Sequence, residues 1–387
     1  MAVAARAVRG GDPLTPEPIP LARPLIDERE EQLVLEVLRS GRLALGPMIE
    51  RFEGALGDRL GARYVAAVSS GTAGLHLAVR LAGITAGDEV ITSPFSFVAS
   101  ANCLLYEGAL PVFADVDERS FNLDPAAVED AITPRTRAIL PVDIFGYPAE
   151  LAELRELAER NGLAFIEDAC EAVGAEYRGR PLGSLGHPTV LAFYPNKQMT
   201  TAEGGAVAVG TEEEWRLVKS LANQGRSDDG GWLQHVHLGF NYRMDELSAA
   251  LGVAQLEKLD RLLALRAQAA EYYTAALKTS VDVELPWPDN PEHRRSWFVY
   301  VVKLAEGVDR EAVITAMSAE GIATSRYLPA VHLQPYMRER FGHAEGLAPV
   351  CENISRRTLA LPFFPSIARE QQNRVVGALK RAIDRAQ

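Results

Sequence analysis

Residues 64–92 read YVAAVSSGTAGLHLAVRLAGITAGDEVIT, and this stretch decides the fold. Tyr64–Val68 is apolar and partly β-branched, the composition of a short strand. Thr72–Ala82 carries apolar residues at helical spacing and is stopped by Gly83, and Glu89–Thr92 is a second strand. Working outward, the alternation continues. Helices are predicted over Phe97–Tyr106, Pro125–Ile132 and Glu150–Asn161, with strands at Pro111–Ala114, Ala138–Pro141 and Ala164–Ile166. Strands separated by helices imply an α/β chain with a mostly parallel sheet covered on both faces. Ligands of such sheets bind beyond the carboxyl ends of the strands.

Upstream, residues 1–20 are rich in Gly and Pro and read as an extended arm, and Leu25–Leu38 reads as a helix. Downstream, Leu256–Leu277 has no Gly or Pro and repeats Leu and Ala at helical spacing, which predicts a long helix leaving the first domain. After the Pro-rich break Leu285–Pro291, the strand Trp297–Leu304 and the helix Arg310–Glu320 suggest a smaller α/β domain. The expected division is therefore an arm at 1–20, a large domain at 21–255, and a linking helix with a small domain at 256–387.

The chain has 387 residues, 47% hydrophobic and 24% charged, which is ordinary globular composition. Its formal net charge of −12 argues against nucleic acid or an anionic membrane as partner. Cys103, Cys170 and Cys351 are far apart and odd in number, so neither a disulfide framework nor a zinc site is expected. The first twenty residues lack the apolar core of a secretory signal, and no apolar run approaches the ~18 residues of a membrane span. The expected location is the cytoplasm.

Chemistry is suggested first at Lys197, in Thr189–Val209, TVLAFYPNKQMTTAEGGAVAV. A lysine held between two apolar strands must pair or lose its charge, and an uncharged lysine is the amine that makes Schiff bases. An ordinary hairpin with a solvated lysine has the same sequence pattern. Val65–Gly74, VAAVSSGTAG, runs from strand through turn to helix, and its Gly71 and Thr72 open a helix start able to bind phosphate or simply be capped. Phe165–Ala169, FIEDA, places Asp168 at a strand end, where it can pair with a protonated ring nitrogen or close a turn. Thr92–Ala99, TSPFSFVA, offers Phe95 and Phe97 for stacking or for the core. A phosphate cradle, a stacking aromatic, a carboxylate and a lysine, all at strand ends, are the four things pyridoxal phosphate needs.

With these segments in place, the chain resembles the DegT/DnrJ/EryC1/StrS family of sugar aminotransferases, of the fold-type I pyridoxal-phosphate class. The resemblance runs from about Pro24 to the C-terminal helix. It rests on SSGTAGLHLA, GDEVITSPFSFVASAN, PVFADVD, FNLDP, ITPRTRAILPV, IEDACEAVGAEYRGRPLGSLG, FYPNKQMTTAEGG, GFNYRMDELSAALG and HLQPYM, in that order. It implies that Lys197 forms the Schiff base with pyridoxal phosphate, Asp168 pairs with the ring nitrogen, Phe97 stacks on the ring, and Gly71 and Thr72 hold the phosphate. It also implies a homodimer in which Asn241 reaches the partner's phosphate.

Two positions depart from the family's pattern. Ala192 stands where a phosphate-binding Ser is common, and Glu171 where a Gln or His lies near the cofactor's phenolic oxygen. Tyr327 and His332 fall where the resemblance puts a substrate-facing loop, and Arg226, Arg243 and Arg326 are candidates for a diphosphate. The implied reaction moves an amino group from an amino acid, glutamate, to a nucleotide-linked keto sugar. A sugar dehydratase of the same family is the nearest alternative, but such members carry His in place of Lys197. A pyridoxal-phosphate-binding regulatory protein is the other. His76 is expected to be a packed helix residue, and His235 and His237 lack a third ligand for a metal.

Overall fold

The computed structural model describes residues 17–227 and 233–386. Most of the arm, residues 1–16, lies outside the described residues. Of the arm's remainder, Ile19 is buried and bridges Ile322, so residues 17–20 run against the C-terminal part of the chain.

Two helices, α1 (Glu28–Ser40) and α2 (Pro47–Leu60), precede the first strand, β1 (Tyr64–Val68). Then follow α3 (Gly71–Leu81), β2 (Glu89–Thr92), α4 (Ala99–Tyr106), β3 (Leu110–Phe113), α5 (Pro125–Ala131), β4 (Thr136–Leu140) and α6 (Leu151–Asn161). The next strand is split at Ile166 into β5 (Ala164–Phe165) and β6 (Glu167–Asp168), after which β7 (Glu176–Tyr177) and β8 (Arg180–Pro181) form a small ribbon. The lysine hairpin is β9 (Thr189–Ala192) and β10 (Gly205–Val209), followed by α7 (Glu212–Ala222), α8 (Glu246–Glu257) and α9 (Leu259–Lys278).

These strands make one sheet. The order β3-β2-β4-β5 is parallel throughout, and β6-β9-β10-β1 continues it through a parallel bridge between Val142 and Asp168. Only β10 runs against its neighbours, β1 and β9. Alternation along each strand sorts side chains into two cores. Val65 and Ala67 of β1 join one cluster with Ala206 and Ala208 of β10, while Ala66 and Val68 join the other with Val207 and Val209. Both faces are thus covered, as expected for a doubly wound sheet.

A second sheet, β11 (Val283–Glu284), β13 (Tyr300–Leu304), β15 (Thr358–Leu361) and β14 (Ser325–Arg326), is antiparallel, and β12 (His293–Arg294) pairs with β7. The helices α10 (Arg310–Ala319) and α13 (Arg369–Ala386) share a third core with this second sheet, while α11 (Pro335–Phe341) and α12 (Pro349–Arg357) lie on its approach to the first.

The structure corrects the sequence reading in particular places. The long helix begins at Leu259 rather than Leu256, because the chain breaks helical geometry at Lys258 (φ −118°, ψ 13°). The strand expected from Trp297 begins at Tyr300, since Trp297 adopts φ 45°. Helix α2 was not anticipated. His76 is a packed helix residue, bonded to Tyr242 and Glu107.

Candidate active site

A cavity of about 460 Å³ opens beyond the carboxyl ends of β1, β6 and β9. Ser70, Gly71, Thr72, Phe97, Asp168, Glu171, Lys197 and Tyr327 all line it. The sequence separates these residues by as many as 257 positions (327 − 70), and the sheet order brings them to one rim.

At one end, Ser70 caps α3 by accepting the Ala73 amide at 3.1 Å. The first amides of a helix have no intrahelical acceptor, so those of Gly71 and Thr72 are free for an anion. Glycine is required here. A Cβ at Gly71 would lie 2.7 Å from the Ala192 Cβ and 2.9 Å from the Cys170 Sγ. From the other side, β10 presses Gly205 so close that a Cβ there would lie 2.6 Å from the Ser70 carbonyl carbon.

Asp168 is buried and held on two sides. Its Oδ2 accepts the Ser100 hydroxyl at 2.7 Å, and its Oδ1 accepts the Cys170 amide at 3.1 Å. Phe97 leaves its ring 61% exposed at the cavity, whereas Phe95 is fully buried in the core. A bare aromatic face of that size is what a planar ring can cover.

Across the cavity, Lys197 Nζ lies 3.4 Å from Glu171 Oε1 and 3.9 Å from the centroid of the Phe298 ring. Glu171 Oε2 accepts the Phe145 amide at 3.0 Å. Burial raises the Glu171 carboxyl above the ordinary glutamate range, with the Lys197 charge working in the opposite direction. Burial, together with the Asp168 charge, pushes the Cys170 thiol well up, which disfavours its thiolate. Tyr327 accepts from Asn196 at 3.4 Å, and its phenol is likewise raised by burial.

Other expected residues lie elsewhere. His332 does not reach the cavity: it is fully buried, with Nε2 3.0 Å from Glu352 Oε1. Arg326 is at the surface, paired with Glu311. Arg226 and Arg243 line a separate cavity of about 520 Å³, where Arg243 donates to Asn223 at 3.0 Å. Asn241 is exposed and bridges Asn223, outside the cavity of this chain. Among the described residues no group of His, Cys, Asp or Glu could hold a metal. Ser100, Tyr194 and Phe298 also line the cavity and were missed by the sequence reading. Ser100 stands one helical turn after Phe97, a signal that was available, whereas Phe298 arrives from the second half of the chain and only the fold reveals it.

The donor set fits pyridoxal phosphate: free helix amides for an anion, a bare ring face, a fixed carboxylate and a half-buried lysine. Sheet order, cavity position and this set define the class, a fold-type I enzyme dependent on pyridoxal phosphate. The chain belongs to the DegT/DnrJ/EryC1/StrS aminotransferase family, whose pattern matches residues 24–380. It is 37% identical over 375 residues to the spore coat polysaccharide biosynthesis protein SpsC of Bacillus subtilis (strain 168), covering 94% of this chain and 96% of the relative. The solved structure of S. venezuelae DesV, in complex with a ketimine intermediate, superposes with a TM-score of 0.89 at 34% identity, over 96% of this chain and 100% of that one. Helicobacter pylori PseC, an aminotransferase involved in pseudoaminic acid biosynthesis, superposes with a TM-score of 0.89 at 27% identity, over 95% and 100% of the two chains. The protein is thus a pyridoxal-phosphate-dependent sugar aminotransferase.

Proposed function

We propose that the protein transfers an amino group from an amino-acid donor, glutamate, to a keto sugar carried on a nucleotide. The observation that carries this reading is Lys197, a lysine rather than a histidine, set in the same cavity as the fixed carboxylate of Asp168. The named relatives support a sugar substrate, since one serves a spore coat polysaccharide and another pseudoaminic acid biosynthesis.

Pyridoxal phosphate, when bound, supplies an electron sink for the carbanion left at the donor's α-carbon. Gly71 and Thr72 hold its phosphate through the amides that open α3. Asp168, fixed by Ser100 and Cys170, keeps a proton on the ring nitrogen. Phe97, at the cavity wall, would cover one face of the ring. Lys197 would hold the cofactor covalently through Nζ, and the same amine is placed to move the proton taken from the donor's α-carbon. Glu171 sits beside Lys197 as the ammonium's partner, with burial raising its carboxyl above the ordinary glutamate range and the lysine charge opposing that rise. Tyr327 borders the space left for the sugar, and Arg243 lies at a second cavity suited to a diphosphate.

The working unit in this reading is a homodimer in the cytoplasm. Leu233, Val236 and Leu238 are exposed beside Asn241, an apolar surface for a second copy through which Asn241 enters the partner's site. No helix of the described residues is long and apolar enough to cross a membrane, and all three cysteines are free. The portion 21–255 is the cofactor domain and 256–387 the linking helix and small domain, with His332 a structural partner of Glu352 in the latter.

The test has two stages. Protein mixed with pyridoxal phosphate and reduced with borohydride should gain one cofactor mass at Lys197, and Lys197→Ala should gain none. Glutamate should then convert the bound cofactor to its amine form in a single turnover. Nucleotide-linked 3-keto and 4-keto sugars should restore the original form. Absence of any Lys197 adduct, or restoration by none of the sugars, overturns the proposal.

A further inference from the structure

Arg266 lies on α9 where that helix passes from one core to the next. Leu259 and Leu262 before it pack under the first sheet, and Ala269, Ala270 and Tyr273 after it pack under the second. The residue is 1% exposed, yet no carboxylate meets it among the described residues. All of its hydrogen bonds go to main-chain carbonyls. Nη2 donates to the carbonyl of Lys197 at 2.6 Å and reaches that of Asn196 at 3.4 Å. Nη1 donates to the carbonyl of Phe298 at 3.1 Å and reaches that of Trp297 at 3.5 Å. Nε has no acceptor.

Burying a guanidinium against carbonyl dipoles and one aromatic face, that of Phe363 with its centroid 5.6 Å away, without a carboxylate is unfavourable. Burial lowers its pKa to about 9, which still leaves it charged at neutral pH. A neutral donor could satisfy a carbonyl with less penalty. What arginine adds is a planar fork that holds two acceptors at a set separation. The two segments it joins are both in contact with the same ammonium. One is the main chain of Lys197 itself; the other carries Phe298, whose ring lies 3.9 Å from Nζ.

We propose that Arg266 is a positioning residue for Lys197, clamping the lysine's main chain to the ring wall on which its head group rests. The clamp sets the reach of Nζ into the cavity. It also ties the lysine to the segment leading into β13, so a shift of the second sheet is transmitted to Lys197. This inference rests on the reading of Lys197 as the lysine that bonds the cofactor.

The test uses cofactor-free protein of wild type, R266K and R266M. Each is mixed with pyridoxal phosphate, quenched with borohydride at intervals, and weighed to give the rate of covalent attachment. Affinity for pyridoxamine phosphate, whose amine cannot bond Lys197, measures the cavity alone. Misplacing a reacting group by an ångström costs up to about a hundredfold in rate, so R266K should attach at least about tenfold more slowly. Its pyridoxamine phosphate affinity should stay within about twofold of wild type. An unchanged attachment rate in R266K overturns the clamp, as does an equal loss in rate and in pyridoxamine phosphate affinity. Should both variants fail to fold, F298L keeps the arginine and removes the ring wall. It should slow attachment, and an unchanged rate there overturns the clamp. If wild type itself takes up no cofactor at Lys197, the functional reading fails instead.

Discussion

Gly71 and Ala192 share the floor of the cavity, and each is small because the other is close. Gly71→Ala would drive a methyl into Ala192 and Cys170, displacing the amides that open α3; pyridoxal phosphate affinity by equilibrium titration should fall at least about tenfold. Ala192→Ser restores a hydroxyl at that floor. A hydrogen bond to a charged group is worth about 1.5–3 kcal/mol, so affinity should rise by about tenfold or more in the same titration. Glu171 makes a prediction in pH. Its carboxyl is raised in the folded protein, chiefly by burial. An acid raised on folding favours the folded state below its unfolded pKa of about 4.3 and withdraws that support as pH climbs to the folded value. Glu171→Gln cannot ionise, so urea melts of the cofactor-free protein should show the variant gaining on wild type as pH rises above about 4. These positions were legible because each stands next to a strand end in sequence. Phe298 and Arg266 were not, since their role is defined only by what the second sheet and α9 bring beside Lys197.

At the scale of elements, the βα alternation was readable because each strand is a short apolar run closed by a helix start. Helix α2 was harder to see. Its PMIERFEGALGDRL carries Gly54 and Gly57, poor helix formers. It holds because Ile49, Phe52, Leu56 and Leu60 are buried together and Glu246 of α8 takes the amides of Met48 and Ile49 at its start. The break at Lys258 is likewise tertiary. No Gly or Pro marks it, but the Lys258 amine is drawn to Asp27 at 2.8 Å and Glu30 at 2.6 Å, at the start of α1. Asp27 caps that helix in a reciprocal box with Glu30. Asp27→Ala should therefore destabilise the protein by about 1 kcal/mol at pH 7, read from denaturant melts. The Lys258 bond, with help from the Arg29 amide, lowers the Asp27 carboxyl to about 2. A depressed carboxylate contributes above its unfolded pKa and loses that contribution as pH falls toward the folded one. The difference between variant and wild type should accordingly shrink between about pH 4 and pH 2.

At the scale of the whole molecule, the most exposed large hydrophobic among the described residues is Leu238, 76% exposed and three residues before Asn241. If the proposed homodimer forms through this face, Leu238→Asp should shift the protein toward monomer in sedimentation velocity runs. Because Asn241 then reaches no partner, it should also weaken cofactor retention. An unaltered sedimentation coefficient would remove this face from the dimer. The sheet order carries a different consequence, one of time. Strand β1 has one strand neighbour, β10, whose register pairs Tyr64 with Val209, and on its other side only an isolated bridge from Val68 to Arg243. A ribosome adding about 5–20 residues per second leaves YVAAV without its partner for roughly 7–30 s. During that interval the phosphate turn after β1 has no β10 beside it, and Lys197 has already emerged without Arg266 or Phe298. The cofactor site is therefore assembled in stages and is completed only after Phe298 and Tyr327 have emerged. The nascent chain must meanwhile keep an apolar, unpaired edge from finding the same edge on its neighbour.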